Sequence, residues 1–98
     1  MPVDPVEVRI TDMAKITIRY WAAAKDAAGT PEEVMDAVTL AGALAAALAA
    51  RPGDDRLRQV MSRASFLVNA LPVHRDAHEG TILEDGATIE VLPPFAGG

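Results

Sequence analysis

Residues 39–53 have the sequence TLAGALAAALAARPG and contain the clearest secondary-structure signal in the chain. Leu40, Leu44 and Leu48 recur every four residues among alanines, which is the spacing of one face of an α-helix. Thr39 is suited to cap the first turn, and the Pro-Gly pair that follows Arg51 ends the helix. The stretch therefore predicts one helix whose leucine stripe packs against a sheet.

Strand patterns lie on both sides of this helix. In Lys15–Trp21, apolar and polar residues alternate, so Ile16, Ile18 and Tyr20 are expected on one face. The predicted elements, in order, are a strand at 15–21, a turn or short helix at 22–29, a returning hairpin strand at 33–38, the main helix, a short helix capped by Asp54 or Asp55, a strand at 65–69, a loop at 71–80 and a strand at 88–92. The order predicts an α+β domain in which a mixed sheet of four to five strands packs on one main helix and a short one.

Composition limits the possible functions. The chain has 98 residues, a net charge of −5 and no cysteine. These counts predict a single small domain without disulfides, zinc-thiolate sites or a thiol nucleophile. The acidic balance argues against nucleic-acid binding. The longest apolar stretch, at 43–50, is too short to span a membrane, and the N-terminus lacks a signal-peptide pattern. We expect a cytoplasmic protein with a flexible arm at 1–14, a domain at 15–92 and an extended tail at 93–98.

The tail is the strongest functional signal in the sequence. After the last predicted strand, Pro93 and Pro94 stiffen the chain, and the sequence then ends in Gly97-Gly98. Glycines let the backbone pass through a narrow channel in which any Cβ would clash. A partner enzyme could then reach and activate the carboxylate of Gly98. The alternative is a frayed tail without a function.

Other candidate sites are weaker. His74 and His78 have the i, i+4 spacing of metal ligands on a helix, but their charged neighbours favour an exposed loop, so no metal site is predicted. Neither Ser62 nor Ser65 lies in a nucleophile turn. Trp21 is expected on the sheet face opposite the helix, near Leu67 and Leu92, where it is either a partner contact or covered by another segment.

Three stretches resemble the MoaD/ThiS family of ubiquitin-like sulfur carriers, and most closely its molybdopterin synthase small subunits. They are Ile16–Ala22 followed by Gly29, then Phe66–Asn69, and finally Asp85-Gly86 with the ending 89–98. The resemblance covers residues 15–98 and implies a ubiquitin-like β-grasp fold. Phe95 departs from it, being bulkier than the small aliphatic residue common at that position.

The resemblance also implies a reaction cycle on Gly98. An ATP-dependent activating enzyme (MoeB-like) would adenylate the carboxylate, and a sulfur donor would convert it to a thiocarboxylate. The large synthase subunit (MoaE-like) would take up the tail in a heterotetramer, and sulfur would pass to cyclic pyranopterin monophosphate. The chain would then be a non-catalytic sulfur-donor subunit that binds no cofactor itself. The residues expected to contact partners are Trp21, Leu67, Leu92, Pro93, Pro94, Phe95 and Ala96, with Gly97 and Gly98 at the reacting end.

Three other functions remain open at this point. A carrier of the same kind could supply sulfur for the thiamine thiazole or for cysteine synthesis. A ubiquitin-like modifier could be joined through Gly98 to lysines of target proteins. A β-grasp interaction module could carry an incidental Gly-Gly ending.

Overall fold

The computed structural model describes residues 13–94, which form a five-stranded sheet with helices on one face. The elements in chain order are β1 (Ala14–Tyr20), α1 (Ala23–Ala28), β2 (Glu32–Ala37), α2 (Leu40–Ala49), α3 (Arg56–Met61), β3 (Ser65–Val68), β4 (Leu71–Val73), a 3-10 turn (Arg75–Ala77) and β5 (Thr88–Leu92). The strand order is β2-β1-β5-β3-β4. The predicted mixed sheet is confirmed, since β1 and β5 are parallel and the other neighbouring pairs antiparallel.

Two central strands supply much of the core. In β1, burial alternates along the strand, and Ile16, Ile18 and Tyr20 are 1, 0 and 2% exposed. In β5, Ile89 and Val91 are fully buried on the same side. Alternation follows from strand geometry, in which successive side chains point to opposite faces. One face of the sheet is therefore apolar and covered, as the sequence predicted.

The main helix α2 packs its leucine stripe on this face. Leu40 and Leu44 are buried, and Leu48 packs partly against the same core. The Thr39 side chain accepts a hydrogen bond of 3.0 Å from the backbone N–H of Gly42, so the predicted N-cap is confirmed.

Two short helices, α1 and α3, pack against each other beside one end of the sheet. α1 ends at Gly29, whose φ of 80° is the left-handed conformation that glycine adopts readily at a helix C-terminus. At the start of α3, the Asp54 carboxylate accepts a hydrogen bond of 3.0 Å from the backbone N–H of Arg56. Asp55 occupies the N-cap position without a capping hydrogen bond from its side chain. Of the two predicted caps, Asp54 is the one that bonds to the helix.

The prediction of a loop over residues 71–80 is wrong in its first half. Asn69 and Ala70 form a two-residue turn with φ values of 50° and 69°, and β4 then pairs with β3 at the edge of the sheet. Two positive φ angles are typical of a type I′ hairpin turn, which usually carries glycine at its second position. Pro72 is tolerated because an edge strand needs fewer backbone donors.

β1 begins at Ala14, one residue before the expected start of the domain, and this alanine is buried. The predicted arm, apart from its last two residues, and residues 95–98 of the tail lie outside the described residues. Within residues 13–94, none of the helices has the length and apolar character needed to cross a membrane.

Candidate functional site at the tail exit

The last strand leaves the sheet from a central position. β5 lies between β1 and β3, and the backbone N–H of Trp21 donates a hydrogen bond of 3.2 Å to the carbonyl of Val91 near its end. Pro93, half-buried, and Pro94, exposed, follow Leu92. Proline has no backbone N–H, so the ladder cannot continue. We call Pro93 and Pro94, at this end of the sheet, the tail exit. Because β5 is held in the middle of the sheet, the tail exit has a fixed position relative to the domain.

Six of the nine predicted site residues lie in the tail, and the structure describes the first two of them, Pro93 and Pro94. Phe95, Ala96, Gly97 and Gly98 lie outside the described residues, so their predicted roles stay predictions. The structure locates the other five, namely Trp21, Leu67, Leu92, Pro93 and Pro94.

Trp21 and Leu92 are neighbours on the uncovered face of the sheet, and we call this pair the exit patch. The register pairs Tyr20 with Val91, which brings Trp21 beside Leu92. Trp21 exposes 44% of its surface, and Leu92 is half-buried. The sequence expectation that both lie opposite the main helix agrees with this placement. An exposed aromatic next to a leucine is a common anchor for a protein partner.

Leu67 lies in the row of the sheet next to the exit patch, not in the patch's own row. It pairs with Glu90 rather than with Leu92, and Arg19 pairs with Glu90 from the other side. The Arg19 guanidinium lies 5.8 Å from the centre of the Trp21 ring and also approaches Glu32, at 3.5 Å. A polar row therefore borders the apolar patch, which is smaller than a continuous stripe through Leu67 would be.

A cleft of about 650 Å³ borders the tail exit on its other side, between α1 and α3. We call it the exit cleft. Ala27 on α1 and Val60 on α3 contribute apolar surface, and Pro93 and Pro94 form part of the lining. Two guanidinium groups line the α3 side, and one carboxylate lines the α1 side; these belong to Arg56, Arg63 and Asp26. Sequence patterns did not reveal this cleft, because it depends on the packing of two short helices against each other.

A strained residue joins the two sides of the exit. Ala22 follows Trp21 directly and precedes α1, and its φ of 49° lies in the left-handed region. Its ψ of −123° places it outside the left-handed helical conformation, and a residue with a Cβ adopts such a backbone at a cost of roughly 1–3 kcal/mol. It lets β1 turn into α1 without a longer loop, so Trp21 of the exit patch and Ala23 of the exit cleft are separated by Ala22 alone.

A cluster of three polar side chains braces the same end of the sheet. The Tyr20 hydroxyl donates a hydrogen bond of 2.6 Å to the Glu33 carboxylate, and Arg51 approaches the same oxygen at 3.0 Å. Arg51 also donates to the carbonyls of Ala28 and Ala47, at 3.1 and 2.7 Å. The cluster thus ties β1, β2 and the C-terminal ends of α1 and α2 together.

Electrostatics in this cluster favour the charged forms of Glu33 and Arg51. Burial disfavours the Glu33 carboxylate, but hydrogen bonds from Arg51 and Tyr20 outweigh it and lower the pKa of Glu33. The hydrogen bond to Glu33 raises the pKa of Arg51. Burial raises the pKa of Tyr20, and the hydrogen bond to the Glu33 carboxylate raises it further. All three groups therefore keep fixed protonation states near neutral pH, as expected for a structural brace.

The two histidines have different surroundings. His74 is exposed, whereas His78 is half-buried and meets the Phe66 ring edge-on, with 5.0 Å between ring centres. Burial and the nearby Arg75 charge lower the pKa of His78. The expectation that both histidines lie in an exposed loop is therefore wrong for His78. Across residues 13–94, no three His, Asp or Glu side chains come together in a group that could hold a metal ion.

Comparisons with known proteins connect this fold to a family. The family model described as the ThiS family matches residues 18–98. The small archaeal modifier protein SAMP1 of Methanosarcina acetivorans has 24% identity and a TM-score of 0.73, covering 88% of this chain and 98% of its own. Subunit 1 in the complex of subunits 1 and 2 of the molybdopterin-converting factor from Helicobacter pylori has 23% identity and a TM-score of 0.62, with coverages of 86% and 99%.

A third structure, the thiamine biosynthesis protein ThiS of Geobacter metallireducens, has 18% identity, a TM-score of 0.52 and coverages of 86% and 99%. No curated protein matches the sequence. Identities this low show the fold, which is the predicted ubiquitin-like β-grasp. The family model spans most of the chain and includes both the tail exit and the Gly-Gly ending. The chain therefore belongs to the ThiS family of ubiquitin-like sulfur carriers.

Proposed function

We propose that this chain is the sulfur-carrying small subunit of molybdopterin synthase and that sulfur travels on Gly98. The observation that supports this most is the tail exit. A central strand, held on both sides, ends in two prolines, and the sequence then runs through four residues to Gly98. The family model continues through this ending. Such an arm can enter a partner's active site while the domain stays outside it.

The proposed chemistry suits a terminal glycine. The Gly98 carboxylate attacks the α-phosphate of ATP, releases pyrophosphate and becomes an acyl-adenylate. Sulfide, supplied as HS⁻ by a donor, then attacks the acyl carbon and displaces AMP, which leaves a thiocarboxylate on the same carbon. A free carboxylate is a poor electrophile, so the AMP leaving group is needed, and glycine provides the least hindered acyl carbon. The chain needs no bound cofactor in this scheme, because the activating enzyme uses the ATP.

The composition fits a carrier better than a catalyst. The sequence contains no cysteine, so the chain has no thiol of its own on which sulfur could travel. The groups that insert sulfur into cyclic pyranopterin monophosphate would belong to the large subunit. After transfer, water restores the carboxylate of Gly98 and the cycle can begin again. We place these reactions in the cytoplasm, where ATP is available.

The exit patch is the proposed contact for the large subunit, with Pro93, Pro94, Phe95 and Ala96 entering its channel. Trp21 and Leu92 lie where the tail leaves, so a subunit that takes up the tail must come close to them. The Helicobacter pylori protein, which has the same fold, is described in complex with its second subunit. Leu67, in the same row as Arg19 and Glu90, would lie at the border of the contact.

A second candidate is a protein modifier, supported by the fold similarity to SAMP1 of Methanosarcina acetivorans. The acyl-adenylate would form in the same way, but a lysine amine of a target protein would finally take the Gly98 acyl group. The fold similarity to ThiS of Geobacter metallireducens is the observation behind a third candidate, a thiazole carrier. A carrier for cysteine synthesis would use the same tail.

A reconstituted sulfur transfer distinguishes these candidates. The thiocarboxylate form of the chain is mixed with the host's large subunit and cyclic pyranopterin monophosphate. Molybdopterin should form in proportion to the thiocarboxylate, and a variant lacking Gly98 should give none, because it cannot carry sulfur at the correct distance. Thr88→Ser, a change outside the tail, is the control and should leave the yield unchanged. Conjugates to lysines without molybdopterin would instead establish the modifier.

A further inference from the structure

The exit cleft is not used by the proposed contact with the large subunit. It lies between α1 and α3, on the far side of the tail exit from Trp21, and encloses about 650 Å³. Ala27 and Val60 provide apolar surface there, and Pro93 and Pro94 line it next to the tail. Any protein that holds the tail beyond Pro94 therefore comes within reach of this cleft.

The charge of the cleft differs from that of the whole molecule. The chain carries a net charge of −5, yet two of the three charged residues that line the cleft are arginines. The Arg56 guanidinium is already engaged by Asp54, at 2.8 Å. Within the described part of the chain, no carboxylate lies within salt-bridge distance of Arg63, and Asp26 across the cleft forms no ion pair with it. Arg63 is thus a cation available for a partner's carboxylate.

We propose that the exit cleft docks an acidic segment of the enzyme that adenylates Gly98, with a carboxylate against Arg63 and an apolar side chain against Val60. This inference rests on the proposed function. Charge complementarity mainly accelerates encounter and sets orientation, whereas buried apolar area slows dissociation. A carrier must leave its activating enzyme after each cycle before it joins the synthase. A charged cleft suits that transient contact, and the apolar exit patch suits the longer-lived one.

The test is ATP–pyrophosphate exchange by the host enzyme that adenylates the wild-type chain. Arg63→Glu should raise the KM for the chain by about tenfold, because it replaces an attraction by a repulsion, while kcat stays unchanged. Arg63→Lys keeps the positive charge, so its KM for the chain should stay within about twofold of the wild-type value.

The matched control is Arg58→Glu, which makes the same charge change on α3, five residues before Arg63. The Arg58 side chain is 67% exposed and does not line the cleft, and among residues 13–94 it forms a salt bridge only with Asp55, at 4.0 Å. Its KM should stay within about twofold of the wild type. Equal effects of Arg63→Glu and Arg58→Glu would overturn the proposal, because the enzyme would then sense only net charge.

Two further outcomes would also contradict it. A lower KM for Arg63→Glu would mean that the cleft holds the chain's own tail and that the change releases it. A higher KM for ATP, with that for the chain unchanged, would mean that the cleft binds nucleotide. If no host enzyme adenylates the wild-type chain, the proposed function fails first and this inference fails with it, which separates the two failures.

Discussion

The sheet face that carries α2 leaves Ile16, Ile18, Ile89 and Val91 at most 1% exposed, whereas the opposite face leaves Trp21 44% exposed. Both faces come from the same strands, since successive residues point to opposite sides. The side chains of the covered face stabilise the fold and are not accessible to a partner. The uncovered face and the tail exit contribute less to the core and are free to bind partners. Mutations on the covered face should therefore lower stability, and mutations on the uncovered face should weaken partner binding.

The largest expected effect is on the covered face of β5. Ile89→Ala should lower the free energy of unfolding by about 2–5 kcal/mol, because Ile89 is fully buried and its loss leaves a cavity. Urea denaturation measures this loss. Ile89→Val, which removes one methylene, should cost about 0.5–1.5 kcal/mol and gives a graded value even if the alanine variant does not fold.

Glu90→Ala is the neighbouring control on the uncovered face. It should change the free energy of unfolding by about 0.5 kcal/mol or less, as is usual for partly exposed polar positions. Equal losses of unfolding free energy for Ile89→Ala and Glu90→Ala would contradict the claim that the covered face stabilises the fold more than the uncovered face does.

The next effect concerns binding at the exit patch. Trp21→Ala should weaken binding to the large subunit by about thirtyfold, since an exposed aromatic anchor is typically worth ~2 kcal/mol at an interface. Titration calorimetry measures the affinity, and urea denaturation should show a much smaller loss than for Ile89→Ala. Val34→Ala is the control: Val34 is 63% exposed on β2 and lies away from the exit. If both variants bind equally well, the exit patch is not the contact.

A smaller effect, which depends on pH, is expected from the polar brace at the exit end. The pKa of Glu33 is lowered in the folded state from its ordinary value of 4.5. The unfolded chain therefore takes up this proton first as the pH falls. The stabilisation by Glu33 is complete above pH 4.5 and is lost as the pH decreases through the folded-state pKa.

Glu33→Gln should cost about 1 kcal/mol at pH 7, because the ion pair with Arg51 becomes a neutral hydrogen bond. The difference from the wild type should shrink below pH 4.5. Urea denaturation across this range measures it. Glu79→Gln removes a carboxylate at an exposed position and is the control; at pH 7 it should change the free energy of unfolding by about 0.5 kcal/mol or less. A constant gap for Glu33→Gln would show that its charge does not contribute to stability.

The smallest effect is a gain in stability at the β3–β4 turn. Ala70→Gly should stabilise the domain by about 0.5–1 kcal/mol, because its φ of 69° is strained for alanine but not for glycine. Ala45→Gly, the same change at an exposed position inside α2, should instead destabilise by about 1 kcal/mol. Thermal unfolding of both variants should show a gain in stability for Ala70→Gly and a loss for Ala45→Gly. A loss at Ala70 would mean that the turn relaxes without the strained angle.

Much of the fold follows from local patterns in the sequence. The four-residue spacing of Leu40, Leu44 and Leu48 predicts α2, and the alternation in β1 and β5 identifies the covered face. β4 escaped prediction because it has three residues, one of them proline, and because Asn69-Ala70 lacks the glycine that usually marks a hairpin turn.

The site was predicted only where it depends on neighbours in the chain. Trp21 and Leu92 could be assigned to the uncovered face by counting along their strands. The exit cleft could not, since it forms where α1 and α3 meet, and neither helix carries a motif. Glu33 and Arg51 lie 18 positions apart, so their contact depends on how α2 crosses the sheet.

The most direct test of the proposal is the intact mass of the full chain purified from its own host cells. We predict a population whose mass is higher by one oxygen-to-sulfur exchange, with fragmentation placing the sulfur on the carbonyl of Gly98. A variant lacking Gly98, expressed in the same cells, should lack that population. A chain that carries only an unmodified carboxylate, both in cells and after incubation with host extract and ATP, would contradict a sulfur-carrying role.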